Sequence, residues 1–124
     1  MIARDIMTRH VYTTTPEMTV RDAARIMAEK RISGMPVLNQ TGAMIGLLSE
    51  ADIIGKQGER VEEIMSTEIF SVSEETPVGE IAQLLSQKKI KRVPVITNGR
   101  LVGVVSRADI VAAVADGHLI IRQW

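Results

Sequence analysis

The feature that most constrains this chain is an internal duplication. Residues 46–53 read Gly-Leu-Leu-Ser-Glu-Ala-Asp-Ile, and residues 103–110 read Gly-Val-Val-Ser-Arg-Ala-Asp-Ile. In both copies an apolar run typical of a strand leads into a helix-like run, with a serine and an aspartate three residues apart at the junction. A fixed-period duplication is typical of a repeated structural unit, so a repeat is the first hypothesis for the whole chain.

The match between the two copies extends over almost the entire chain. Ile6-Met7-Thr8 aligns with Ile64-Met65-Ser66, and Pro36-Val37 aligns with Pro94-Val95. One residue is lost between the copies at a predicted turn, where Asn98-Gly99 between apolar runs is a strong hairpin signal. We therefore predict repeat one at residues 2–57, repeat two at residues 58–116 and a C-terminal tail at 117–124, whose apolar composition suggests that it packs on something.

Each repeat predicts the same order of elements. These are a short extended segment (11–14; 69–73), a helix beginning near Thr19 or Thr76, a hairpin (35–38 with 44–48; 93–96 with 101–105) and a helix from Ser49 or Ser106. Thr19 is expected to cap its helix, while Thr76 is expected to cap with Pro77 at the first helical position. Residues 55–59 link the two repeats and are the only segment of the sequence that we expect to be flexible. A repeat of about 55 residues buries its own sheet poorly. The predicted fold is thus α/β (α+β), with two pseudo-twofold-related β-α-β-β-α repeats packed through their small sheets.

Composition excludes several classes of protein. The 124 residues are 45% hydrophobic but only 2% aromatic, which predicts an aliphatic core and argues against stacking platforms for single-stranded nucleic acid. The net charge of zero gives no reason to expect non-specific nucleic-acid binding, and the lack of cysteine excludes disulfides and thiol chemistry. No apolar run approaches the roughly 18 residues of a membrane span, and no signal peptide is visible. We expect a cytoplasmic protein.

The order and spacing of the motifs resemble a known family. Ile-Met-Thr, Val-x-Thr, Ile-Ser-Gly-Met-Pro-Val and Gly-Leu-Leu-Ser-x-x-Asp follow one another as in the cystathionine β-synthase (CBS) domain, of which a tandem pair is called a Bateman module. The resemblance covers residues 2–116 and occurs twice in register. It implies a regulatory module that binds adenosine-containing ligands (AMP, ADP, ATP or S-adenosylmethionine) in clefts between its repeats. Most such modules are attached to enzymes, channels or transporters, whereas we expect this one to be stand-alone. It further implies a homodimer and a protein effector that the sequence does not identify.

The Ser-x-x-Asp junctions have two interpretations. Ser106 with Asp109 resembles a capping box, in which the hydroxyl and the carboxylate satisfy free N–H groups of the first helical turn. Alternatively, the carboxylate accepts hydrogen bonds from the vicinal hydroxyls of a ribose, beside a helix N-terminus that favours anions. Ser49 with Asp52 has the same two interpretations.

Lys88-Lys89-Ile90-Lys91-Arg92 also has two interpretations. It is either a solvated helix end, where cations suit the helix dipole, or a phosphate clamp in which Lys91 and Arg92 lead toward a ligand. The matching residues of repeat one, Ser33 and Gly34, are uncharged. The two sites should therefore differ.

The resemblance assigns residues to both sites. Around Asp109 it implies Ser106, Lys91, Arg92 and Arg107 for ribose and phosphates, and Val11, Thr13, Ile32, Ser33, Met35 and Pro36 for adenine. Around Asp52 it implies Ser49 for ribose, and Ile69, Ser71, Ile90, Val93 and Pro94 for the base. Glu50 stands where the first site has Arg107, which weakens the expectation of a polyphosphate there. The two prolines could equally serve only to stiffen the strands that they begin.

No catalytic constellation is visible. The chain has only two histidines, neither at metal-ligand spacing, and no nucleophile–base pair or glycine-rich phosphate loop. We therefore expect no enzyme and no required cofactor, only an adenine nucleotide as regulatory ligand. Two other hypotheses remain: a structural dimerisation module whose sites bind no nucleotide, and nucleic-acid binding through residues 88–92.

Overall fold

A computed structural model describes residues 1–117 of the chain and consists of short helices and two small sheets. The helices are α1 (Ala3–Ile6), α2 (Val20–Lys30), α3 (Glu50–Gly55), α4 (Val61–Ile64), α5 (Val78–Lys88) and α6 (Arg107–Ala115). The strands are β1 (Gly34–Leu38), β2 (Met44–Ser49), β3 (Arg92–Thr97) and β4 (Arg100–Ser106). Strands β1 and β2 form one antiparallel sheet, and β3 and β4 form the other.

The chain divides into two compact units that do not coincide with the two sequence repeats. The first unit comprises residues 12–69, and the second comprises residues 1–11 together with residues 70–117. The opening segment of each repeat (residues 2–11 and 58–69) thus belongs to the unit that contains the rest of the other repeat. We call these two the exchanged segments. An alignment of repeats shows which segments are alike but not where they pack, so the exchange was not visible in the sequence.

In the first unit, two peptide segments flank the hairpin. The hairpin pairs Pro36 with Leu47. The predicted extended segment joins β1 only by a single parallel bridge between Thr14 and Val37, and Ser66 pairs with Leu47 on the far side of β2. The core consists of Ala23, Met27, Met35, Val37, Leu48, Val61 and Ile64.

The second unit repeats this plan. The bridge from Val72 to Val95 is parallel, and the exchanged N-terminal segment pairs Thr8 with Val104. The core consists of Ala3, Met7, Val78, Ile81, Leu85, Val93, Val95, Val105 and Ile110. Each sheet therefore consists of four adjacent backbone segments: two full strands in the middle and, on either side, a segment joined by a single bridge.

The helix starts agree only in part with expectation. Thr19 caps α2 as predicted, because its Oγ1 accepts a hydrogen bond from the Asp22 N–H at 3.1 Å. Pro77, however, is the N-cap residue of α5 and not its first helical residue. The Thr76 hydroxyl is engaged one turn earlier, where it accepts from the Ser73 N–H at 3.0 Å.

The predicted fold class is confirmed: each unit mixes helices with a small antiparallel sheet. The first strand of each β-α-β-β-α unit is reduced to a single bridge. Among residues 1–117, no helix is long and apolar enough to cross a membrane. The predicted packing of the tail concerns residues 118–124, which lie outside the described part of the chain.

Candidate ligand-binding sites

Both Ser-x-x-Asp junctions form complete capping boxes. At the start of α6, the Asp109 N–H donates to Ser106 Oγ at 3.2 Å, and Asp109 Oδ2 accepts from the Ser106 N–H at 2.8 Å and from its hydroxyl at 3.0 Å. At α3, the three corresponding distances between Ser49 and Asp52 are 3.2, 3.0 and 3.0 Å. The capping interpretation is therefore confirmed. Because these bonds engage Oδ2, the ligand interpretation depends on what Oδ1 contacts.

Each aspartate has a further hydroxyl partner that sequence reasoning missed. Thr8 Oγ1 donates to Asp109 Oδ1 at 3.3 Å, and Ser66 Oγ donates to Asp52 Oδ1 at 3.2 Å. Thr8 and Ser66 occupy matching positions of the two repeats, each in the exchanged segment. The repeat alignment shows that both positions carry a hydroxyl, but it does not indicate that these hydroxyls contact the aspartates.

Glycine at the start of each junction allows the exchanged segment to approach the sheet. A Cβ on Gly103 would lie 2.9 Å from the Thr8 carbonyl oxygen and 2.9 Å from Met7 Sδ. A Cβ on Gly46 would lie 2.6 Å from Met65 Sδ and 3.1 Å from the Ser66 carbonyl oxygen. The duplicated glycine is thus explained by packing, which brings each hydroxyl to its aspartate.

The two aspartates differ in their surroundings. Asp52 is only 4% exposed, and Lys56 Nζ lies 2.8 Å from its Oδ1. Burial raises the pKa of Asp52, but hydrogen bonds from Lys56 and Ser49, together with the charge of Lys56, outweigh it and place the pKa below its ordinary value. Asp109 is partly exposed and, within residues 1–117, has no cationic side chain at ion-pair distance.

Three cations lie beside Ser106. Arg92 is its partner across the β3–β4 ladder. The Arg107 N–H donates to the Lys91 carbonyl at 2.9 Å, and Arg107 Nε donates to the Ile90 carbonyl at 3.1 Å. All three cations are exposed, and among the described residues none forms an ion pair with a carboxylate.

The cations of the basic segment 88–92 therefore lie in two different places, two at the end of α5 and two beside Ser106. Lys88 ends α5 with its ammonium 4.9 Å from the centre of the Phe70 ring, and Lys89 adopts the left-handed conformation that closes the helix. Lys91 and Arg92 lie beyond the helix, next to Ser106. The helix-end interpretation fits Lys88 and Lys89, and the phosphate-clamp interpretation of Lys91 and Arg92 stays a prediction.

In the first unit the same backbone arrangement carries different charges. The Glu50 N–H donates to the Ser33 carbonyl at 3.0 Å, which matches the bond between Arg107 and Lys91. A carboxylate thus stands where the second unit has a guanidinium, and a hydroxyl stands where it has an ammonium. We call the two Ser–Asp junctions, Ser49–Asp52 and Ser106–Asp109, the two corners. The expected difference in charge between them is present.

The residues expected around adenine have varied exposure. Met35 and Val93 are fully buried in the cores of their units and present no surface to a ligand. The Pro36 and Pro94 carbonyls each accept a backbone N–H, from Thr14 and Val72 respectively, at 3.0 Å. Ser71 is exposed, and the partly exposed residues are Val11, Thr13, Ile32, Ser33, Ile69 and Ile90. Each predicted base pocket takes residues from both units and stays a prediction.

Comparison with known proteins agrees with the duplicated architecture. The CBS domain family matches residues 3–59 and again residues 61–116. The CBS domain-containing protein YhcV of Bacillus subtilis (strain 168) is 33% identical over 114 residues, which are 86% of this chain and 81% of that protein. Some relatives are much longer enzymes: the A-adding tRNA nucleotidyltransferase of Aquifex aeolicus (strain VF5) is 30% identical over 91% of this chain, which spans only 14% of that protein.

Solved structures show the same fold. CBSX2 in complex with AMP is 25% identical, with a TM-score of 0.89, over 95% of this chain and 98% of that one. The CBS domain pair of MJ0100, in complex with 5′-methylthioadenosine and S-adenosyl-L-methionine, is 26% identical, with a TM-score of 0.84, over 94% of this chain and 98% of that one. This chain therefore belongs to the CBS domain family and carries two CBS domains in tandem.

Proposed function

We propose that the protein is a regulatory module that binds an adenosine-containing nucleotide at the corner formed by Ser106 and Asp109. One observation carries the proposal: three hydrogen bonds hold the Asp109 carboxylate in place, yet the residue is partly exposed. Among the described residues, no cationic side chain lies at ion-pair distance from this carboxylate. A carboxylate that is oriented but not saturated is suited to accept a further donor.

The chemistry of the corner fits a ribose phosphate. Asp109 Oδ1 can accept from a ribose hydroxyl, because an ionised carboxylate offers about four lone-pair positions, of which three are used. Lys91, Arg92 and Arg107 supply positive charge beside Ser106, and guanidinium groups bind phosphate oxygens in a bidentate manner. AMP in the CBSX2 structure and S-adenosyl-L-methionine in the MJ0100 structure belong to the ligand class that this corner suits.

Of the residues expected around adenine, Val11, Thr13, Ile32 and Ser33 have exposed surface, whereas Met35 is fully buried. Of the residues expected around a base near Asp52, Ile69, Ser71 and Ile90 have exposed surface, whereas Val93 is fully buried. Pro36 and Pro94 are buried, and the carbonyl of each already accepts one backbone N–H.

We also propose that two copies associate through their helices. Ile54 on α3 is 85% exposed and Val111 on α6 is 63% exposed, although both are large apolar residues. They occupy the same position in the two repeats. A depression of about 230 Å³ beside Ile54 is lined by the apolar residues Ala24, Met27, Ala28, Ile32 and Ile53, together with Glu50. A second copy of the chain would cover such faces, and a bound nucleotide would alter the dimer that an effector protein recognises.

Isothermal titration calorimetry with AMP, ADP, ATP and S-adenosylmethionine tests the nucleotide site. Asp109→Asn should lose binding, because the amide replaces one acceptor with a donor. Asp5→Asn is the matched control, since Asp5 also accepts a backbone N–H at a helix start in the same unit, from Ile2 at 2.9 Å. Thermal melting gives a second measurement: ligand at about 100 times its dissociation constant should add about 2.7 kcal/mol of stability.

Two results would count against the proposal. A wild-type protein that binds none of these ligands but forms a dimer would instead support the structural dimerisation module. Equal binding by wild type and Asp109→Asn would remove Asp109 from the site.

A further inference from the structure

In the first unit, a cation of the chain itself already occupies the Ser–Asp corner. Lys56 Nζ lies 2.8 Å from Asp52 Oδ1, and the same nitrogen donates to the Ile64 carbonyl at 3.1 Å. The lysine therefore joins the end of α3 to the exchanged segment that carries Ser66. It lies in the link between the repeats, which the sequence had suggested to be flexible.

The hydrogen-bond capacity of Asp52 is fully used. Its Oδ2 accepts from the Ser49 N–H and hydroxyl, and its Oδ1 accepts from Lys56 and Ser66. Four donors fill the roughly four lone-pair positions of a carboxylate. With 4% of its surface exposed, Asp52 offers neither room nor a free acceptor for a ribose hydroxyl.

The Asp109 corner lacks this arrangement for an identifiable reason. The repeat alignment places Ala113 at the position of Lys56, and Ala113 is 5% exposed in the core of its unit. Helix α6 continues through this position to Ala115, whereas α3 ends at Gly55. Lys56 is the C-cap residue of α3 and lies four residues after Asp52, a spacing at which helical side chains meet, whereas alanine at this position has no cation to offer.

We propose that Lys56 is an internal counter-ion that closes the Asp52 corner to ribose, so that each chain binds one nucleotide, at Asp109. The inference rests on the proposed function and specifies which of the two corners is open. A ribose hydroxyl would have to displace an ammonium from a nearly buried carboxylate, and a charge-assisted hydrogen bond is stronger than the neutral one that would replace it.

The test is the number of AMP molecules bound per chain, measured by calorimetry. Lys56→Met keeps the length of the apolar stem but removes the charge and the donor. Wild type should bind one AMP and Lys56→Met should bind two. Arg25→Met is the control, because Arg25 pairs with Asp22 at 3.2 Å on an exposed helix surface, and it should still bind one.

Combining variants assigns the molecules to corners. Asp109→Asn alone should bind none, whereas Lys56→Met with Asp109→Asn should bind one, at Asp52. If Lys56→Met does not fold, Lys56→Gln retains a donor for the Ile64 carbonyl without the charge and should give the same increase.

The possible failures are distinguishable. Two AMP molecules on the wild type, or one on a folded Lys56→Met protein, would overturn the closure while leaving the nucleotide function in place. No AMP on the wild type but one on Lys56→Met would contradict the Asp109 site and support the closure. No AMP on either protein would overturn both.

Discussion

Replacing Gly103 with alanine adds one methyl group where the exchanged N-terminal segment crosses β4. The new Cβ would lie 2.9 Å from Met7 Sδ and 2.9 Å from the Thr8 carbonyl oxygen. The thioether can rotate away. The carbonyl cannot, because Thr8 and Val104 exchange two backbone hydrogen bonds of 2.8 and 2.9 Å. The segment must therefore move away from the sheet.

The expected loss of stability follows from these contacts. Two backbone hydrogen bonds contribute about 0.5–1.5 kcal/mol each. Overpacking of a tightly packed site costs about 1–3 kcal/mol. The two losses overlap, because moving the segment relieves the clash by breaking the bonds, so we expect about 2–4 kcal/mol. For a chain of this size that corresponds to a fall in Tm of roughly 8–16 °C.

Urea unfolding followed by circular dichroism measures this loss. Gly79→Ala is the matched control: Gly79 lies in the first turn of α5, and a Cβ there meets no heavy atom within 4 Å apart from its chain neighbours and the nearby backbone of its own helix. Alanine should be neutral at this position or stabilise the helix by up to about 1 kcal/mol. Gly103→Ala should also weaken nucleotide binding, because Thr8 no longer orients Asp109. A loss below about 1 kcal/mol for Gly103→Ala would refute the close-approach explanation.

Four further predictions follow from the same geometry. Gly46→Ala should cost less than Gly103→Ala, about 1–2 kcal/mol in urea, because its shortest contact is with the flexible Met65 thioether. Because the pKa of Asp52 is lowered, its carboxylate stabilises the fold at pH values above the ordinary carboxyl pKa of about 3.9, and this stabilisation should be lost as the pH falls below that value. The Tm of Asp52→Asn should therefore fall less between neutral and acidic pH than the Tm of the wild type. Arg107→Glu should weaken binding of AMP in calorimetry by roughly tenfold but leave adenosine nearly unchanged, because only AMP carries a phosphate. Ile54→Glu should shift the proposed dimer toward monomer in sedimentation, whereas unchanged sedimentation of a dimer would exclude this face.

The sequence by itself determined the features that depend on neighbouring residues. Asn98 and Gly99 have φ angles of 53° and 76°, as a tight hairpin requires, and Asn-Gly is the pair that adopts them at least cost. Thr19 caps α2, and both Ser–Asp pairs cap their helices, because each uses a side chain within three residues of the N–H that it satisfies. The repeat and its hairpins were predictable for the same reason.

Only the tertiary structure decided what surrounds the two aspartates. The hydroxyl of Thr8 reaches Asp109 across 101 sequence positions, which no local pattern encodes. Lys56 lies four residues after Asp52, a spacing at which helical side chains meet, but only the structure shows its second bond, to the Ile64 carbonyl, and the burial of the carboxylate. Two nearly identical motifs thus become an open carboxylate and a neutralised one. Local sequence sets the cap, but long-range packing sets the burial, the neighbouring charge and the remaining hydrogen-bond capacity.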